Sequence, residues 1–237
     1  RIGSRTSARI CATPRGSNPL LRKAVLQICA ANFRVVLALV ASPSPACLAS
    51  AAMIFDSVPW KAQLAKDAAE IDASAAKRPS AKRSLLIERN VFVGAYAIRK
   101  LDESFRLSSA FLDEPITVKH YPVIRSGYSP IRHPDFERFF AMEQPQARSL
   151  TRRRLLNVLI HSAVFVEVLG PRGRCQGVLV ASDRTVRHGL YEVELPDLTN
   201  LMRLVAAEFP TVMTIRTAED GTWTVWTGHD PPTLQDD

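Results

Sequence analysis

The chain has 237 residues with 46% hydrophobic and 23% charged composition, an ordinary balance that excludes a low-complexity or fibrous protein and suits a packed core. Its formal net charge of +8 invites a nucleic-acid reading, but the excess is concentrated. Residues 1–52 hold seven basic residues and no acid, so removing them from the 31 basic residues leaves 24 against 23 acidic ones over the rest.

That first segment is rich in Arg, Ser, Ala and Pro, has no sustained period, and carries three of the four cysteines (Cys11, Cys29, Cys47). Met53 is the first methionine. The segment reads as a leader over 1–52: upstream sequence that is not part of the natural protein, which would then start at Met53, a targeting segment with Val35–Ala41 as its apolar part, or a disordered basic arm. A single α+β domain is expected over 53–228, with a helical part at 59–112, a sheet-containing part at 116–228, and a frayed tail at 229–237. No run approaches the ~20 apolar residues of a membrane span. Cysteine spacing shows neither a zinc pattern nor a disulfide framework, and Cys175 reads as a small apolar filler. Cytoplasmic placement follows, with export as the alternative if 1–52 is a signal segment.

Trp60, Leu64, Ala68 and Ile71 recur at helical spacing, so the pattern predicts a helix over 59–74. Pro79 breaks it. A stronger apolar stripe follows, Ile87, Val91, Gly94, Ile98 and Leu101, in a helix from Ser80 or Ser84 to Leu107. Gly94 and Ala95 would allow a close helix neighbour, and the same helix is the candidate surface for a homodimer or protein partner. Ile116–Ile124 is β-rich, but Pro122 deletes a ladder donor, which predicts an edge or bulged strand. Residues 125–147 form a long irregular connection with a short helix near Asp135–Phe140; its aromatic residues are expected to fold back over the core.

Ser149 or Thr151 caps the next helix, which places Arg152, Arg153 and Arg154 in a first turn where the helix dipole disfavours cations unless an acid offsets it. Strands are predicted at Ala163–Leu169 and Gly177–Ser182 around the turn Gly170-Pro171-Arg172-Gly173. A third strand, Leu190–Leu195, alternates so as to leave one face wet. Pro196-Asp197 opens the last helix, and Asp220-Gly221 joins two final strands. Short connections make neighbouring strands antiparallel. The expected architecture is an antiparallel sheet of five or six strands with helices packed on one face.

No motif for a nucleophilic, phosphate-binding or metal-dependent enzyme is present, and no cofactor is implied. The weak catalytic candidates are His161, Asp183 and His188, which a hairpin could bring together as a metal or acid–base cluster. Trp226, Tyr191, Arg172 and Arg174 are the candidate contacts for a ligand or partner. The leading expectation is a small non-catalytic binding or accessory protein. The alternatives are a metal-assisted hydrolase using His161, Asp183 and His188, or nucleic-acid binding through the arginine clusters, which the near-neutral body disfavours.

The stretch Met53-Ile54-Phe55-Asp56-Ser57-Val58-Pro59-Trp60-Lys61 is followed by Ala97-Ile98-Arg99-Lys100-Leu101, Ile160-His161-Ser162 and Val164-Phe165-Val166-Glu167-Val168. With Ser182-Asp183 and Trp226-Thr227-Gly228, these segments resemble a group of uncharacterised bacterial proteins. The resemblance covers most of 53–237, supports a domain beginning at Met53, and implies no activity.

Overall fold

The computed structural model describes residues 34–37, 54–133, 135–218 and 220–230. The remainder of the 1–52 segment, and the tail beyond 230, lie outside these residues. Within that segment Arg34–Leu37 forms a strand, β1, paired in parallel with a strand near the C-terminus.

Helix α1 spans Val58–Ala75, entered through Asp56, whose carboxylate accepts from the Val58 amide at 3.0 Å. Helix α2 spans Ala81–Glu103 and is capped by the Ser80 hydroxyl, which accepts from the Arg83 amide at 3.2 Å. It ends with Phe105 at φ 58; the Arg106 amide donates to the Leu101 carbonyl and the Phe105 amide to that of Asp102, the bond pattern that closes helices on a left-handed residue. Gly94 faces α1 and the last helix: a Cβ there would stand 2.7 Å from the Met202 methyl and 3.6 Å from Leu64. The expected close approach is therefore real.

Strand β2 is Pro115–Pro122, and β3 is Gln146–Thr151. Helix α3, Arg152–Ile160, follows at once, capped by Thr151. Strands β4 (Ser162–Leu169), β5 (Cys175–Ser182) and β6 (Gly189–Glu194) lead into helix α4, Leu195–Ala207. Strands β7 (Val212–Thr217) and β8 (Trp223–Gly228) close the chain.

The fold is α+β, with an antiparallel five-stranded sheet ordered β3-β2-β6-β5-β4. The final hairpin does not extend that sheet, as a six-stranded reading would require; β7 and β8 form a second sheet with β1. Two further expectations are corrected. Strand β2 is interior rather than an edge, and it tolerates Pro122 because that residue is its last. Residues 146–149, read as loop or helix entry, are part of β3, whose single buried side chain, Leu150, leaves no apolar alternation to detect.

Packing explains the sheet. The even positions of β2 and the odd positions of β6 meet the helices, with Val118, Tyr191 and Val193 in the main core beside Ile87, Leu155 and Leu198. The opposite face is covered too. Phe139 and Phe140, supported by Tyr128, Phe136 and Met142 from the long connection, pack on Tyr121, Leu179, Ala181 and Leu190. The aromatic residues of that connection do fold over the core, with the Tyr128 ring 5.1 Å from that of Phe140. As a consequence β6 is buried on both faces, contrary to the wet face its alternation predicts.

Candidate functional site

Strands β2 and β6 pair only over Lys119–Pro122 and Gly189–Glu192. Beyond that point β6 turns into α4, and a cleft of about 500 Å³ opens at the end of the sheet. Its walls come from four places: Asp72, Ala75 and Ala76 at the end of α1, Lys119 on β2, Arg174–Gln176 at the start of β5, and Glu192 with Glu194–Pro196 at the β6–α4 junction.

The charges of the cleft are largely matched. The Glu192 carboxylate is buried, accepting from Lys119 Nζ at 2.8 Å and from the Tyr121 hydroxyl. Lys119 Nζ also lies 3.5 Å from the exposed Glu194 carboxylate. The hydrogen bond to Glu192, helped by both carboxylate charges, makes Lys119 hold its proton more firmly than a free lysine. Burial, then the bond to Glu192, likewise raises the Tyr121 phenol. Asp72 is paired with Arg203. The Cys175 thiol is pushed up to about 11, chiefly by burial, so it is a packed thiol rather than a thiolate at neutral pH. Among the described residues only Arg174 lines this cleft as a cation whose side chain has no partner. The arrangement can hold a ligand by charge and shape, and it contains no nucleophile paired with a base.

Of the candidate catalytic and contact residues named from sequence, Arg174 is the one that lines this cleft; Cys175, read as an apolar filler, lines it beside Arg174. Arg172 sits at the exposed hairpin tip with φ 62. Tyr191 is not a surface contact: it alternates onto the helix-covered face, 3% exposed, with its ring 5.2 Å from that of His120. Trp226 is half-buried and lies over Gly228, where a Cβ would stand 2.3 Å from its ring. The exposed indole of that strand is Trp223, edge-on to Phe105 at 6.4 Å.

His161 and Asp183 flank the paired ends of β4 and β5, where Ser162 faces Ser182, and both are exposed, as is His188. Among the described residues no group of three or more His, Cys, Asp or Glu side chains stands where it could share a metal ion. The arginine cluster of α3 is mostly neutralised. Arg152 pairs with Glu114 at 2.7 Å, and Arg153 pairs with Asp102 at 2.5 Å and Asp113 at 3.2 Å. These acids are the offset that cations in a first helical turn require.

Lys119, Tyr121 and Glu192 escape a reading from sequence. Each lies in a β-rich run, and the one available signal is a lysine and a glutamate on two separate strands. Only the register, Lys119 opposite Glu192, turns that into a site. No helix among the described residues is long and apolar enough to cross a membrane. Compared with models of known families, with curated proteins and with solved structures, the chain matches none.

Proposed function

We propose that this chain is a small non-catalytic binding or accessory protein of the bacterial cytoplasm. In this reading the cleft at the β2–β6 divergence takes a small acidic molecule, one carrying a carboxylate or a phosphate. The observation that supports this best is the cleft itself: about 500 Å³, the size of a small-molecule site, with Asp72 matched by Arg203, Lys119 shared between Glu192 and Glu194, and Arg174 the one lining cation, among the described residues, without a side-chain partner. Lys119 is one cation between two carboxylates, Glu192 and Glu194, so the inner wall is not itself cationic and Arg174 is the group that would meet the ligand's charge. The outer face of α2 offers a second contact surface for a protein partner. The paired state of Arg152 and Arg153 weighs against nucleic-acid binding, which needs cations free to replace phosphate counterions.

The test is calorimetric titration of the full chain with a panel of small carboxylates and phosphate esters. At least one should bind, and Arg174→Ala should weaken it about tenfold or more, a loss of roughly 1.4 kcal/mol. Because Arg174 is exposed and lacks side-chain partners, the variant should melt as the parent does. Binding that is indifferent to Arg174→Ala, or none across the panel, would count against the reading.

A further inference from the structure

The charges that line the cleft do not balance locally. On the β6 side two carboxylates, Glu192 and Glu194, share one cation, Lys119. Both Glu192 oxygens are engaged, one by Lys119 Nζ at 2.8 Å and the other by the Tyr121 hydroxyl. Glu194 has only Lys119 Nζ, 3.5 Å from one of its oxygens, and its side chain is 57% exposed. Among the described residues its second oxygen, Oε2, has no partner. One negative charge is left over on this wall, and Glu194 is the carboxylate that carries it.

Two neighbours could cancel that charge, and neither does. Helix α4 starts at Leu195, where its dipole places roughly half a positive charge. Asp197, in the same first turn, draws on it, and burial followed by the Glu194 charge pushes the Asp197 carboxyl up. Arg174 lines the cleft as well, but it precedes β5 while Glu194 stands opposite Gly177, further along that strand. Among the described residues Arg174 makes no ion pair. The cleft therefore presents one unmatched cation and one under-matched carboxylate, with Ala75, Ala76, Leu195 and Pro196 as its apolar lining.

A simple anion answers Arg174 and is repelled by Glu194; a simple cation does the reverse. A molecule with both signs answers both. We infer that the carboxylate this cleft takes also carries an ammonium group: an amino acid with an apolar side chain, its carboxylate on Arg174 and its ammonium on the free oxygen of Glu194. A guanidinium fork matches a carboxylate, and an ammonium brings only donors, which is what an unpartnered carboxylate oxygen lacks. The inference rests on the reading of the cleft as an anion site and narrows the class of its ligand.

Calorimetric titration of the full chain with matched pairs tests it: leucine against 4-methylpentanoate, and phenylalanine against 3-phenylpropanoate, which differ in the ammonium alone. In at least one pair the amino acid should bind about tenfold or more tighter than its des-amino acid. Glu194→Gln should bring that pair to parity, with the amino acid weakened. The position is exposed and the change keeps its shape, so the melting curve should be kept. Equal binding of the two acids, tighter binding of the des-amino acid, binding of phosphate esters alone, or a preference that survives Glu194→Gln would overturn the inference and leave the anion site standing. Failure of every carboxylate and phosphate ester would overturn both.

Discussion

His120 is 2% exposed, and neither ring nitrogen has a hydrogen-bond partner. It is held against Gly189, where a Cβ would stand 2.3 Å from Nε2, so glycine is needed to seat the ring. Burial depresses its proton affinity, and the Arg148 charge adds to that. An unfolded histidine titrates near ~6.5. The unfolded chain therefore binds the proton first as pH falls below that value, and the folded state loses stability there. The contribution is fully present above the unfolded value. Urea denaturation between neutral and mildly acidic pH should show this decline, and His120→Phe should flatten it; parallel curves would contradict the assignment.

Arg83 makes a second residue-scale argument. Nearly buried, it pairs with Glu167 and donates to the Lys77 carbonyl at 3.1 Å and the Gly173 carbonyl at 2.7 Å, tying the start of α2 to the β4–β5 hairpin. Arg83→Ala strands a carboxylate and should cost roughly 3–5 kcal/mol. Arg83→Met with Glu167→Leu should recover part of that in denaturant titrations, because no buried charge is left alone. Equal losses in the two variants would show that the carbonyl contacts dominate.

Among the elements, those with a full apolar stripe were legible. The periods of α1 and α2 put Leu64, Ile71, Ile87 and Ile98 in the core, where they are. The Ser80 cap was one of two candidates, and the bond to Arg83 selects it. Ser80→Ala should lower stability by about 1 kcal/mol in thermal unfolding, and Ser84→Ala by much less. An equal effect at both would contradict the cap. Strand β3 was not legible, because an edge strand with only Leu150 buried carries almost no pattern. Nor was the wet face of β6 a sound expectation: local alternation cannot show that residues some 50 positions upstream return to cover it.

At the scale of the whole molecule, the sheet is a central layer clad by four helices on one face and by the 123–142 segment on the other. The cleft survives where β2 and β6 part and neither covering reaches. Its residues come from segments as far apart as Asp72 and Pro196, so no spacing in the chain announces them. In the sequence Arg174 stands out only as an arginine just after the Gly170–Gly173 turn, and Glu192 lies unmarked inside the alternating run Leu190–Leu195. The pairings that make them a site are products of register. Backbone amide chemical-shift mapping of the full chain against the acid panel addresses the cleft most directly. Shifts gathered at Lys119, Arg174–Gln176 and Glu194 are the predicted result; shifts confined to other surfaces, or no shifts with any acid, would contradict the account.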